Sequence, residues 1–113
     1  MGASPLQVLI GEELSSVEFI RDYVSLHFDG PRIDAFAKVE VVQGAQTWRE
    51  GDSGWRDALC SAISQAVKSV DETREWVVLA FSRDIEIRVG AVPEGDAVEA
   101  GMFHAPNGDM ILL

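Results

Sequence analysis

The polar side chains best placed to do chemistry fall within one short stretch. Arg21, Asp22, His27 and Asp29 interrupt an otherwise apolar segment that ends at the turn Asp29-Gly30-Pro31. An arginine next to an aspartate can line a small-molecule pocket, and an enzyme needs such convergent polar groups in a concave site. The same residues also have a purely structural use. Asp29 can hold its turn by bonding the backbone, and Arg21 can pair with a carboxylate across strands. The structural use is the expectation here, and catalysis is not expected.

Histidine and cysteine are sparse. The chain holds His27, His104 and one cysteine, Cys60, with no CxxC or HxxxH spacing. Zinc needs three or four ligands, so no metal and no cofactor is expected. His27 reads as a half-exposed strand residue and His104 as a loop residue. Cys60 lies inside the expected helix, away from the N-terminus where a thiolate is stabilised, so it should be buried as a small hydrophobe. With a single cysteine no intramolecular disulfide is possible, which suits a reducing compartment. Glu50-Gly51-Asp52 and Glu94-Gly95-Asp96 match no calcium loop and read as turns. Neither the G-x-G-x-x-G and P-loop patterns nor G-x-S-x-G occurs. Trp48 sits between Thr47 and Arg49 in a polar stretch. A tryptophan there either anchors an interface beside its arginine or folds back as a lid over the core.

The elements that must position these residues are read from periodicity. Met1–Pro5 is small and polar, and Leu6–Ile10 is a flexible or strand-like leader before a turn at Gly11-Glu12-Glu13. Val17–Phe28 reads as extended, with Val24, Leu26 and Phe28 on one face. After the Asp29–Pro31 turn a second extended run covers Arg32–Val42, and Gln43–Gly54 is a loop. Trp55, Ala58, Leu59, Ala62, Ile63, Ala66, Val67 and Val70 recur at spacings of three and four, which predicts a helix over 54–70 capped by Asp52 or Ser53. Trp76–Phe81 reads as a buried strand, Ser82–Asp84 as a hairpin loop and Ile85–Val89 as the return strand. Pro93–Asp96 is a loop, Ala97–Phe103 a short helical turn, and Asp109–Leu113 a last strand after Pro106-Asn107-Gly108. The order implies a single α+β domain over 1–113. An antiparallel or mixed sheet of about five to six strands would carry one main helix, about 54–70, on one face.

The segment Phe19-Ile20-Arg21-Asp22-Tyr23-Val24-Ser25-Leu26-His27-Phe28-Asp29-Gly30-Pro31 resembles the signature of a group of small bacterial α+β proteins to which no activity is attached. The similarity extends through Trp55–Cys60 and to Glu99–Phe103. The resemblance implies a self-contained domain and nothing about chemistry.

Charge narrows the functions further. The 113 residues carry 9 Lys+Arg and 19 Asp+Glu, a formal net charge of -10. The acidity is spread evenly, with 5 basic and 9 acidic residues in 1–56 (-4) and 4 and 10 in 57–113 (-6). Nucleic acids and anionic membrane surfaces are recognised by basic faces, and none is visible. The longest apolar run, Trp76–Phe81, is far short of the ~20 residues of a membrane span. Without a basic leader the expected location is cytoplasmic. The leading reading is therefore a non-enzymatic protein-interaction module acting as a homodimer, since one helix covers only one face of a sheet. Two alternatives stand beside it: an acidic, immunity-type inhibitor of a basic toxin or nuclease, and a small-molecule-binding domain or enzyme with a pocket near Arg21, Asp22 and Asp29. The charge argument predicts no micromolar, salt-sensitive binding to duplex DNA or RNA in a low-salt anisotropy titration.

Overall fold

A computed structural model describes residues 4–95 and 97–113. After a short 3-10 turn at Pro5–Leu9, ten strands follow: β1 (Leu14–Phe19), β2 (Val24–Phe28), β3 (Arg32–Ala35), β4 (Val39–Gln43), β5 (Gln46–Trp48), β6 (Val67–Glu72), β7 (Trp76–Phe81), β8 (Ile85–Gly90), β9 (Gly101–His104) and β10 (Met110–Leu112). Among the described residues a single α-helix, α1 (Trp55–Cys60), lies between β5 and β6. The strands form two five-stranded sheets in the orders β1-β2-β3-β9-β10 and β5-β4-β8-β7-β6, with every strand pair antiparallel.

The expected α+β fold is thus corrected to a β-sandwich-like one, with strand in 46% and helix in 10% of residues. Alternation explains the architecture. Val17, Leu26, Ile33, Phe103 and Ile111 stand opposite one another across the first sheet, and Val41, Ile87, Leu79 and Val70 across the second. These rows belong to one apolar cluster between the sheets. The face left open by a single helix is therefore covered by a second sheet.

The 54–70 helix fails for a specific reason. Beyond Cys60 the backbone tightens, with Ala62 N–H bonding Leu59 O and Ile63 N–H bonding Cys60 O, and Ser64 turns left-handed at φ 73°. Val67 and Val70 then belong to β6, where Val67 pairs with Phe81 and Ser69 with Ala80, leaving Lys68 as the extra residue of a β-bulge. One inserted residue converts the strand period of two into a spacing of three, so a bulged strand imitates a helical stripe. Ser15 plays the same part in β1, between Leu14 and Ser16. The cap is corrected as well: Gly54 occupies that position, and the Asp52 carboxylate accepts from Arg49 N–H instead.

Other boundaries also shift. Val17–Phe28 is two strands joined by a tight turn in which Ile20 and Tyr23 exchange main-chain bonds. Arg32–Val42 divides between the sheets, crossing at Phe36–Lys38. The expected Gln43–Gly54 loop contains β5, and the expected helical turn at Ala97–Phe103 gives way to β9. Leu6–Ile10 is largely the 3-10 turn, with Leu6 and Leu9 in the core. Trp76–Phe81 and the hairpin to Ile85–Val89 form as strands, with Arg83 and Asp84 both at positive φ in the turn, but β7 is fully buried on one face only and lies next to the edge strand β6 rather than at the sheet centre. Asp96, the end of the expected Pro93–Asp96 loop, and residues 1–3 of the Met1–Pro5 segment lie outside the described residues.

Two features join the sheets. Main-chain bonds stitch the segment before β1 to the start of β6: Gly11 N–H to Val67 O (2.8 Å), Val67 N–H to Glu12 O (2.9 Å), Leu14 N–H to Gln65 O (3.1 Å) and Ser64 N–H to Leu14 O (2.7 Å). Helix α1 touches both β4 and β1, one strand from each sheet. Gly101 is sterically required, because a Cβ there would stand 2.5 Å from the main-chain oxygen of Asp34 on β3. Gly101→Ala must therefore push β9 from β3, and denaturant unfolding should show a loss of more than about 2 kcal/mol.

Candidate functional site

A concavity of about 760 Å³ lies where three segments meet: the β1–β2 turn, the Phe36–Lys38 crossover, and the stretch from Glu50 to the first turn of α1. Its apolar parts come from paired aromatics. Phe19 meets Trp55 edge-on at 5.7 Å between ring centroids, and Tyr23 meets Phe36 edge-on at 5.4 Å. Trp55 is pinned by its indole N–H, which donates to Val39 O at 2.9 Å, so the start of α1 is fixed against β4. Behind it, a Cβ on Gly54 would stand 3.2 Å from Trp48 Nε1. The left-handed backbone of Gly54 (φ 89°) and this close approach both call for glycine.

Around the aromatics stand five carboxylates, Asp22, Glu50, Asp52, Asp57 and Glu94, against three cations, Arg21, Lys38 and Arg56. The Arg56 guanidinium lies over the Phe19 ring at 5.2 Å from its centroid, and Lys38 Nζ approaches Glu94 at 3.7 Å. Ala37, Lys38 and Glu94 also border a second hollow of about 280 Å³ beside Trp76 and Val92, so the two adjoin across these residues.

The structure separates the residues singled out from the sequence. Arg21 and Asp22 sit together on the tip of the β1–β2 hairpin and line the cleft. Asp29 is exposed at the other end of β2, in the β2–β3 turn, and takes no part in it. His27 is half-buried on the outer face of the first sheet, 2.9 Å from Glu18. Trp48 folds back as a half-buried residue against the core, behind Gly54. Cys60 is exposed, contrary to its expected burial, since it faces away from the stripe formed by Trp55, Ala58 and Leu59.

Sequence reasoning missed a polar network on that same outer face. Ser25 Oγ donates to Asp34 Oδ1 at 2.5 Å, Asp34 Oδ2 lies 2.8 Å from His104 Nε2, and Arg32 Nε lies 3.1 Å from Asp34 Oδ1. His104 is thus a strand residue rather than a loop residue, brought opposite Arg32 by the β3–β9 pairing. The legible signal was the alternation Arg32-Ile33-Asp34, which sets both charged residues on one face. The serine is bonded to a carboxylate and not to an imidazole, so the arrangement gives no activated nucleophile. Its use is structural: neighbouring strands are clamped through one buried carboxylate. Burial raises the pKa of Asp34, but the bonds from Ser25 and His104 and the charge of Arg32 outweigh it and hold the group below its ordinary 3.8.

Among the described residues no group of His, Cys, Asp and Glu is arranged to hold a metal, and no helix is long and apolar enough to cross a membrane. Protein-family models, curated proteins and solved structures provide no match to this chain.

A depressed carboxylate pKa stabilises the fold above its unfolded value, and that contribution disappears as pH falls through the folded one. Asp34→Asn should therefore cost about 1–3 kcal/mol at neutral pH, towards the lower end because the Arg32 side chain is 40% exposed. Denaturant melts of both proteins should show the difference constant above about pH 5 and shrinking below about pH 4.

Proposed function

We propose that this chain is a non-catalytic protein-interaction domain whose recognition surface is the cleft between the β1–β2 turn, the Phe36–Lys38 crossover and the start of α1. The observation that carries the reading is the cleft itself. It is about 760 Å³ in volume, within the range of roughly 300–1,000 Å³ typical of ligand sites. Its aromatic pairs are edge-packed and its tryptophan is hydrogen-bonded to main chain, so the surface is preorganised rather than assembled on binding. Arg21 and Asp22 project on a two-residue hairpin tip, an arrangement that presents side chains without loosening the sheet beneath. The catalytic alternative has less support, because the tightest polar cluster spends its serine and histidine on holding Asp34.

Self-association is a second reading with its own observation. Strand β10 is an edge of the first sheet, and its outward side chains Met110 and Leu112 are 64% and 61% exposed. An apolar edge strand favours pairing with a second copy. Of the two grounds for a dimer in the sequence, an uncovered sheet face and an unpaired edge, this reading rests on the edge alone.

Both readings are tested on the whole chain. In a ¹⁵N-labelled sample screened with hexapeptides of mixed composition, binders should give saturable shifts at 20–23 and 51–57; shifts confined to other surfaces would refute the cleft. Sedimentation at high micromolar concentration should show a dimer that Met110→Asp converts to monomer, and a monomeric wild type would remove the second reading.

A further inference from the structure

The cleft is built from the two components that recognise an organic cation, aromatic faces and carboxylates, and it already holds one such cation from its own chain. The guanidinium of Arg56 stands over Phe19, 5.2 Å from the ring centroid, within the roughly 6 Å at which a ring's quadrupole attracts positive charge. The second aromatic pair, Tyr23 and Phe36, has no cation over it among the described residues. Over the cleft as a whole the charge balance is negative, five carboxylates against three cations, and Arg21 beside Asp22 is itself without a carboxylate or ring partner among the described residues. Lys38 is paired to Glu94, and Asp52 accepts from main chain, which leaves Asp22, Glu50 and Asp57 without an ion-pair partner among the described residues.

We infer that the cleft takes a guanidinium or ammonium side chain belonging to an extended basic segment of a partner protein. The cation rests against Tyr23 and Phe36 and is neutralised by Asp22 and its neighbouring carboxylates. The inference depends on the cleft being a recognition surface, and adds to it the chemistry of the occupant. Two observations favour a segment over a free small cation. A second hollow adjoins the cleft across Lys38 and Glu94, and that hollow is lined by Trp76, Val92 and one further carboxylate, Glu75. An extended chain with a basic residue in the first hollow carries an apolar or second basic residue into the next. The overall charge of -10 then steers the encounter.

Three probes decide it: a hexapeptide of alternating glycine and arginine, the same peptide with glutamate for arginine, and free arginine. Each is titrated into the full chain, with tryptophan fluorescence for affinity and amide shifts for location. The arginine peptide should bind at 20–23, 36–38 and 51–57, and free arginine should bind the same place more weakly. Tyr23→Ala and Asp22→Asn should each weaken the peptide by roughly fivefold or more, the scale of one cation–aromatic or charge contact. Asp84→Asn is the control: it removes the same charge at the far end of the β7–β8 hairpin and should change affinity by less than about twofold. Circular dichroism of each variant verifies the fold.

Arginine-peptide binding that Asp84→Asn weakens as much as Asp22→Asn does is diffuse attraction, and the inference fails. Free arginine binding as tightly as the peptide overturns the extended segment. If the glutamate peptide occupies the cleft and the arginine peptide does not, the recognition surface stands and its cation preference falls. If no probe, and no member of the mixed peptide set, reaches the cleft, both are refuted.

Discussion

The four main-chain hydrogen bonds between Gly11–Leu14 and Ser64–Val67 are the constraint from which the remaining geometry follows. They join an edge of each sheet, because β1 and β6 are both terminal strands. Each such bond contributes only about 1 kcal/mol net, but leaving buried donors and acceptors unpaired costs more. The bulges at Ser15 and Lys68 lie beside this seam, and a bulge bends its strand and increases its twist. The chain between β5 and β6 runs from one edge of the second sheet to the other, and on that path α1 packs against both β4 and β1. Trp55, at the start of α1, stands there beside Phe19 of β1 and forms one wall of the cleft.

Charge is divided between two places with different tasks. On the outer face of the first sheet, Asp34 is surrounded by Ser25, Arg32 and His104, and its charge is satisfied within the fold. A carboxylate so engaged resists protonation and holds strands together, and has little left for a ligand. At the cleft, Asp22, Glu50 and Asp57 are exposed to solvent and unpaired among the described residues. Such groups contribute little to stability, which leaves them free for recognition.

How much of this was legible from the sequence depends on local regularity. The β7–β8 hairpin was readable because its apolar run, tight turn and alternating return strand are all local signals. The Arg21–Asp22 pair was picked out by its intrusion into apolar sequence, and it does line the cleft. What escaped were features set by distant residues. Val67 and Val70 keep a helical spacing only because Lys68 is bulged out opposite the Phe81–Ala80 step. Phe36 and Tyr23 become neighbours through the β2–β3 pairing and the crossover to β4. No periodicity announces that Arg32-Ile33-Asp34 will meet Met102-Phe103-His104, since pairing partners are chosen by packing over the whole chain.

The placement of β9 between β3 and β10 has a kinetic meaning. Arg32 and His104 touch across 72 positions of chain, so the centre of the first sheet closes one of the longest loops available to the polypeptide. Loop closure costs entropy before any contact compensates it, and folding slows as contacting residues grow more distant in sequence. The β1–β2–β3 meander and the β7–β8 hairpin, by contrast, close over a few residues each. During synthesis, β3 is therefore exposed as an unsatisfied edge until residues 101–104 have left the ribosome. Until then the side of β3 that Gly101 fits so closely is open to any other strand, and the correct partner is made only after β4 to β8.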